Sequence, residues 1–326
     1  MSDHVILLLT HSEDFYTIDR VAEALKLLGA NPIRINTDLY PEKFPLDIYM
    51  NSSSHKLEWE VDGHKFTSDQ VKGVWYRRIF SPKIDNDIDP AFRNICVREA
   101  GAIFKFMFPL LTHAVWMDPF EVVENASNKL LQLHVAAKSG FTVPDTLVSN
   151  HAESARSFFK NQTGGVVTKL TMPTAYSMGY TSMALRTHRV EEEDLDNMDS
   201  LKYCPMMFQN EIDKAIELRI VYVDGHFFTG AIDASTTENG QVDWRRSGPN
   251  EASWQPYEIP EHLQTTITKF MNELKLTFGA LDVIKTPSGE YVFLEVNPVG
   301  EWGMLEKELD YPISQQIALS LFNRIN

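Results

Sequence analysis

The chain opens on an apolar run, Val5 to Leu9, followed by a polar loop, an amphipathic stretch ending at Gly29 and a second apolar run near Ile33 to Ile35. That pattern predicts strand, helix, strand. Such units build parallel sheets whose ligands sit beyond the strand C-termini. The runs "LDIYMN", "KLEWEVDG" and "GVWYRRI" between residues 46 and 80 read as short strands, and a helix follows from Pro90 to about Leu111.

In "ENASNKLLQLHVAAKSGFTVPDTLVSN" the spacing predicts one helix from about Asn125, stopped by Gly140, then a strand through Val143 and Thr146. "HAESARSFFK" reads as a helix and "GGVVTKL" as a strand. "MPTAYSMGYT", residues 172–181, reads as a mobile loop of small, polar and glycine residues. "MMFQNEI", "ELRIVYVDG" and "HFFTGAIDAS" read as strands with a turn at Asp224-Gly225. "PEHLQTTITKFMNELKLTFG" is an amphipathic helix, and "GALDVIK" with "YVFLEVN" forms a hairpin.

At 326 residues the chain suffices for two or three domains with cores of their own. Lys plus Arg number 30 against 45 Asp plus Glu, a net charge of -15 that argues against a duplex nucleic-acid partner. Cys96 and Cys204 are the only cysteines, too few for a disulfide framework or a cysteine-rich zinc site. No stretch approaches the roughly 18 apolar residues of a membrane span. The run Val5 to Leu9 is too short for a signal h-region and lacks a cationic flank, so the expectation is a cytoplasmic protein with no membrane attachment.

The last hairpin carries the first candidate chemistry. With "PSGE", residues 287–290, as a four-residue loop, Asp282 falls opposite Glu295, and Asn297 shares the face of Glu295. Two carboxylates about 5 Å apart across a ladder repel unless a cation bridges them. A hard divalent ion such as Mg2+ with phosphates suits these oxygens. Spacing alone leaves a solvated acidic face equally open.

Cations for the other side of a polyphosphate are present. Lys169 ends an apolar strand just before the small-residue loop, where it either snorkels at an edge or grips phosphate. Lys129 lies near a helix N-terminus, a place that also favours anions, although a lone lysine there is most often solvated. Arg219 shares a strand face with Glu217, so an internal ion pair is its plain reading. Arg245 and Arg246 offer forked donors for a carboxylate or phosphate.

In order, Lys129, Lys169, "FQNEIDKAIELRI", Asp282 and "FLEVNP" resemble the ATP-grasp carboxylate ligases. "VWYRRI", "YCPMMFQNEI", "DWRR", "WQPYEIP" and "FLEVNPVGEWGMLE" bring the resemblance closer to the microviridin-type peptide macrocyclases, the graspetide synthetases. It covers nearly the whole chain. The resemblance implies an α/β (α+β) ATP-grasp fold: an N-terminal pre-ATP-grasp domain over 1–118, a central lid-like subdomain over 119–205 and a C-terminal nucleotide- and Mg-binding sheet over 206–326.

By the same resemblance, the cofactors are ATP and Mg2+. Lys129 and Lys169 contact phosphates under the 172–181 loop. Gln209, Glu211 and Ile212 form the adenine hinge, and Asp213 contacts the ribose. Asp282, Glu295 and Asn297 hold the metal. Arg219 stabilises the transferring phosphoryl group, while Arg245 or Arg246 orients the acceptor carboxylate. The implied activity joins an Asp or Glu carboxylate of a ribosomal precursor peptide, activated as an acyl phosphate, to a lysine amine. "LLLTHSEDFYTIDRV" and "GEWGMLE" lean toward this lactam-forming branch rather than the lactone-forming one. The resemblance also implies a leader peptide and a homodimer. The acidic run Glu191, Glu192, Glu193 and Asp194 is a candidate leader contact, against the plainer reading of a solvated surface. Other readings are an ATP-grasp ligase for a free amino acid or small peptide, and an inactive peptide-binding scaffold.

Overall fold

The computed structural model describes residues 4–171, 187–233 and 253–326. The chain divides into two compact units, one formed by residues 1–123 with 301–306 and 311–326, the other by 124–300 with 307–310.

The first unit is built on the expected strand-helix-strand opening: β1 (Val5–Thr10), α1 (Thr17–Leu27) and β2 (Asn31–Asn36). β3 (Leu46–Met50), β4 (His55–Val61) and β5 (His64–Thr67) form a separate antiparallel sheet. β6 (Val71–Tyr76), α2 (Pro90–Met107) and β7 (Val115–Trp116) complete a parallel sheet in the order β2-β1-β6-β7. β1 is buried on both faces, as a central parallel strand must be. Ile18, Val21 and Leu25 of α1 are fully buried, one stripe at i, i+3 and i+7. "KLEWEVDG" continues into a hairpin, with Asp62 and Gly63 supplying the positive φ values of its tight turn.

Near residue 125 the structure differs from the one helix expected from about Asn125 to Gly140. There are two, α3 (Phe120–Ala126) and α4 (Lys129–Ser139), because Asn128 caps the second one. Its side chain accepts from Leu130 N at 3.0 Å and Leu131 N at 3.2 Å, satisfying two of the orphan N–H groups of a new N-terminus. The strand expected through Val143 begins later, as β8 (Thr146–Ser149). Pro144 has no N–H for a ladder, and Thr142 instead bridges Val292 in another sheet.

The second unit holds two antiparallel sheets. β8, α5 (Ala152–Asn161), β9 (Val166–Lys169), β10 (His188–Arg189) and β11 (Met206–Asn210) give the first, in the order β10-β9-β11-β8. Ala155, Val166, Val190, Met198, Leu201 and Phe208 form its core. The second sheet takes β12 (Ile216–Val223), β13 (His226–Asp233), β14 (Gln255–Pro256), β15 (Phe278–Lys285) and β16 (Tyr291–Asn297), in the order β14-β13-β12-β15-β16. α6 (Glu261–Glu273) backs it, and Phe141, Phe270 and Phe293 pack ring to ring at centroid distances of 4.9 to 5.9 Å. The chain ends in α7 (Gly303–Leu309) and α8 (Ile313–Ile325).

The β15–β16 hairpin differs from the expected register at one step. The turn is one residue tighter than "PSGE" implies: Thr286 N donates to Glu290 O, and Lys285 pairs with Tyr291. A bulge then skips Leu294, so that Val283 faces Phe293 while Asp282 faces Glu295. The expected carboxylate pair is reached because the bulge adds back the residue the turn omits.

Candidate nucleotide and metal site

Arg219 and Asp282 are cross-strand partners on β12 and β15, and Asp282 and Glu295 are partners on β15 and β16. Three adjacent strands therefore present an arginine and two carboxylates side by side, with Asn297 two residues beyond Glu295. Arg219 Nη1 lies 2.7 Å from Asp282 Oδ1, and both side chains are almost wholly buried. The plain reading of Arg219 paired it with Glu217 on its own strand face. Asp282 takes Arg219, and Glu217 pairs with Lys214 at 3.0 Å, because the ladder sets Asp282 directly opposite.

α4 supplies the next charge. Lys129 is its first residue, and its Nζ lies 2.9 Å from Glu295 Oε2, so it is not the freely solvated lysine of the plain reading. Lys169, at the end of β9, enters the same field. Burial pushes its ammonium down to about 8 from 10.5; Glu295 and Asp282 oppose that shift and Lys129 adds to it. Lys129, Lys169, Arg219, Asp282 and Glu295 thus form one electrostatic cluster.

Gly300 permits the close approach at the end of this cluster. A Cβ there would lie 2.5 Å from Ala280 Cβ and 3.1 Å from Arg219 Nη2. Asn297 Oδ1 accepts from Val299 N at 3.1 Å, which orients the side chain and leaves a second lone pair. Among the described residues, no group of three or more His, Cys, Asp or Glu side chains gathers as a metal site. Two carboxylates and an amide oxygen are a sparse, hard donor set. It suits Mg2+, which keeps waters and phosphate oxygens in its sphere, better than Zn2+.

Gln209 lies on β11, buried, donating from Nε2 to Thr146 Oγ1 at 2.9 Å. Glu211, Ile212 and Asp213 follow in the link from β11 to β12. Glu211 N donates to Gly165 O at 3.0 Å, and Arg189 Nε lies 3.1 Å from Glu211 Oε2. A Cβ on Gly165 would meet that Glu211 oxygen at 2.7 Å, so only glycine lets the link pass so close to β9.

Glu191, Glu192 and Glu193 are exposed. Asp194 caps the 3-10 helix Glu192–Tyr203 in which it lies. Its carboxylate accepts from Glu191 N at 2.9 Å and lies 3.0 Å from His188 Nε2, and these contacts hold it below the usual carboxylate range. Arg245, Arg246 and the 172–181 loop lie outside the described residues.

Sequence reasoning passed over Gln132 and Asn128. The signal for Gln132 was a polar residue on the buried face of α4, beside Leu133 and Ala136; for Asn128 it was an Asn directly before the apolar run.

Residues 5–124 match the family model described as the MvdD pre-ATP grasp domain. Macrocyclase MdnB from Microcystis aeruginosa MRC is 45% identical, over 98% of this chain and 99% of its own, with a TM-score of 0.83. The chain belongs to the graspetide synthetase family. Macrocyclase MdnC of the same organism, solved with its precursor peptide MdnA, is 34% identical over 98% of this chain and 99% of its own, TM-score 0.87. A Chryseobacterium gregarium RiPP-associated ATP-grasp ligase, solved with ADP, a leader and a core peptide, is 31% identical over 98% of this chain and 97% of its own, TM-score 0.90. No curated protein matches the chain. As a graspetide synthetase the chain is an ATP-grasp ligase of mixed α/β fold, as the sequence resemblance implied. No helix among the described residues is long and apolar enough to cross a membrane.

Proposed function

We propose that this chain is an ATP- and Mg2+-dependent macrocyclase that closes rings in a ribosomally made precursor peptide by joining a side-chain carboxylate to a lysine amine. The observation that carries the reading is the pair of ion pairs, Lys129–Glu295 and Arg219–Asp282, on neighbouring positions of one site. A metal ion and a triphosphate bring charges of both signs. Lys129 and Arg219 would hold phosphate oxygens, and Glu295, Asp282 and Asn297 would hold the metal, in place of their present partners. No buried charge is then left uncompensated. The peptide substrate is supported by whole-length similarity to macrocyclases, one of them solved with its precursor.

Bound Mg2+ supplies charge neutralisation at the transferring phosphoryl group. Lys129 and Lys169 hold the phosphates, and Gln209, Glu211 and Ile212 hold the adenine mainly through backbone groups, with Asp213 at the ribose. Arg219, always charged, faces the transferring phosphoryl group. Arg245 or Arg246 orients the acceptor carboxylate. An oxygen of that carboxylate bonds to the γ-phosphorus as ADP leaves, giving an acyl phosphate. A lysine amine of the same peptide then bonds to the carbonyl carbon, and the C–O bond to phosphate breaks. The amine proton leaves with phosphate or solvent, and the product is an omega-amide ring. Holding both groups on one peptide supplies effective molarity, and water must be kept from the acyl phosphate meanwhile. The exposed Glu191, Glu192 and Glu193 receive a basic residue of the leader. A cytoplasmic homodimer completes the reading.

The direct test is ADP release with ATP and Mg2+ in the presence of a leader-bearing precursor. Release that depends on the precursor supports the proposal. Release driven equally by free amino acids places the chain with small-substrate ligases.

A further inference from the structure

β16 is an edge strand, so the row of backbone groups facing away from β15 needs other partners. Thr142 covers one end, bridging Val292 and accepting from Phe293 N at 2.9 Å. At the other end a side chain takes over. Gln132 Oε1 accepts from Val296 N at 3.1 Å, and Gln132 Nε2 donates to Val296 O at 2.8 Å. One amide thus exchanges both hydrogen bonds with a single residue, as an antiparallel neighbour would.

Gln132 Nε2 also donates to Ala126 O at 2.7 Å, where α3 ends. The side chain is buried, and two carbonyls at one end with an N–H at the other define which end of the amide is which. Val296 lies between Glu295 and Asn297. Gln132 lies one turn along α4 from Lys129, which pairs with Glu295. The helix therefore grips β16 twice, by charge at residue 295 and by backbone pairing at residue 296. That grip falls just past the bulge at Leu294, where the β15 ladder alone holds the register least firmly. A slip of one residue there would turn Glu295 and Asn297 to the opposite face.

We propose that Gln132 is a positioning residue for the metal-nucleotide site. It stands in for a missing strand and fixes the direction of Glu295 and Asn297 relative to Lys129, touching neither metal nor nucleotide. The role rests on the reading of Glu295 and Asn297 as metal ligands.

The test compares wild type with Gln132→Met and Gln132→Glu, measuring melting temperature, ADP affinity in EDTA by calorimetry, and Mn2+ affinity in the presence of ADP by electron paramagnetic resonance. For Gln132→Met the expected result is a folded protein with unchanged metal-free ADP affinity and Mn2+ binding weakened about 10- to 100-fold, the range for outer-shell partners. In Gln132→Glu a protonated carboxyl still donates to one carbonyl and accepts from Val296 N, whereas an ionised one faces two carbonyl oxygens. Its Mn2+ affinity is therefore expected to fall with rising pH more steeply than that of wild type. A lowered melting temperature with wild-type Mn2+ affinity in both variants overturns the role and leaves the site reading standing. Wild type that shows no ADP-dependent Mn2+ binding overturns the site reading and this role together.

Discussion

Lys129 Nζ and Glu295 Oε2 meet at 2.9 Å, joining the first residue of α4 to the edge strand β16. The contact joins the cation proposed to hold phosphate to the carboxylate proposed to hold the metal, so replacing either is expected to change both halves of the site.

Glu295→Gln keeps the shape and removes the charge. The expected result is a folded protein whose turnover drops by more than the roughly 10–100-fold typical of outer-shell changes, with the Mg2+ requirement moved to higher concentration. Steady-state ADP release across a Mg2+ series reads both. Ring formation at the normal rate would remove Glu295 from the metal.

If Lys169 holds phosphate as proposed, the nucleotide step is expected to depend on pH. Its folded value of about 8 lies below 10.5, so the ammonium is charged below pH 8 and discharges as pH rises through it. The KM for ATP is expected to rise above pH 8 in wild type. It should stay flat in Lys169→Arg, whose guanidinium remains charged. The linkage to stability runs the other way. Between pH 8 and 10.5 the unfolded chain binds the proton that the folded chain has released, so the unfavourable contribution present below pH 8 fades across that window. An ATP KM independent of pH in wild type would contradict the assignment.

Gly300→Ala places a methyl 2.5 Å from Ala280 Cβ and 3.1 Å from Arg219 Nη2. The backbone must shift to relieve it, at a cost of about 1–3 kcal/mol, and turnover should fall as Arg219 is displaced. Urea denaturation with parallel kinetics checks both; an unchanged midpoint would show that the chain accommodates the methyl.

Charge reversal at Glu192 and Glu193 together is expected to weaken leader-peptide binding while ADP affinity holds. Glu191 and Asp194 are left out of that variant because their side chains cap the 3-10 helix Glu192–Tyr203. Fluorescence anisotropy with a labelled leader reads the first quantity and calorimetry the second, and an unaltered leader affinity would assign the run to plain solvated surface.

The ladder of the second sheet was largely legible in the sequence, because β-alternation puts Glu295 and Asn297 on one face whatever lies behind them. The route to Asp282 was not. A tighter turn and a bulge cancel, and neither leaves a mark in hydrophobic spacing. Asn128 could be read as a cap, yet the apolar pattern on both sides of it continues and hides the break between α3 and α4. The partner of Arg219 depended on strand order: Glu217 is its neighbour along one strand, whereas Asp282 lies 63 positions away and reaches it only through the β12–β15 ladder. Gln132 was hidden for a similar reason, since its partner Val296 lies 164 positions distant.

The measurement that tests the central claim most directly is mass spectrometry of a leader-bearing precursor incubated with the protein, ATP and Mg2+, beside a precursor whose core lysine is alanine. The predicted result is loss of one water mass per ring in the first peptide and no loss at the corresponding ring in the second. Loss that survives the lysine substitution would contradict amide closure and point to a hydroxyl nucleophile. No loss in either peptide, with ADP still released, would contradict macrocyclisation itself.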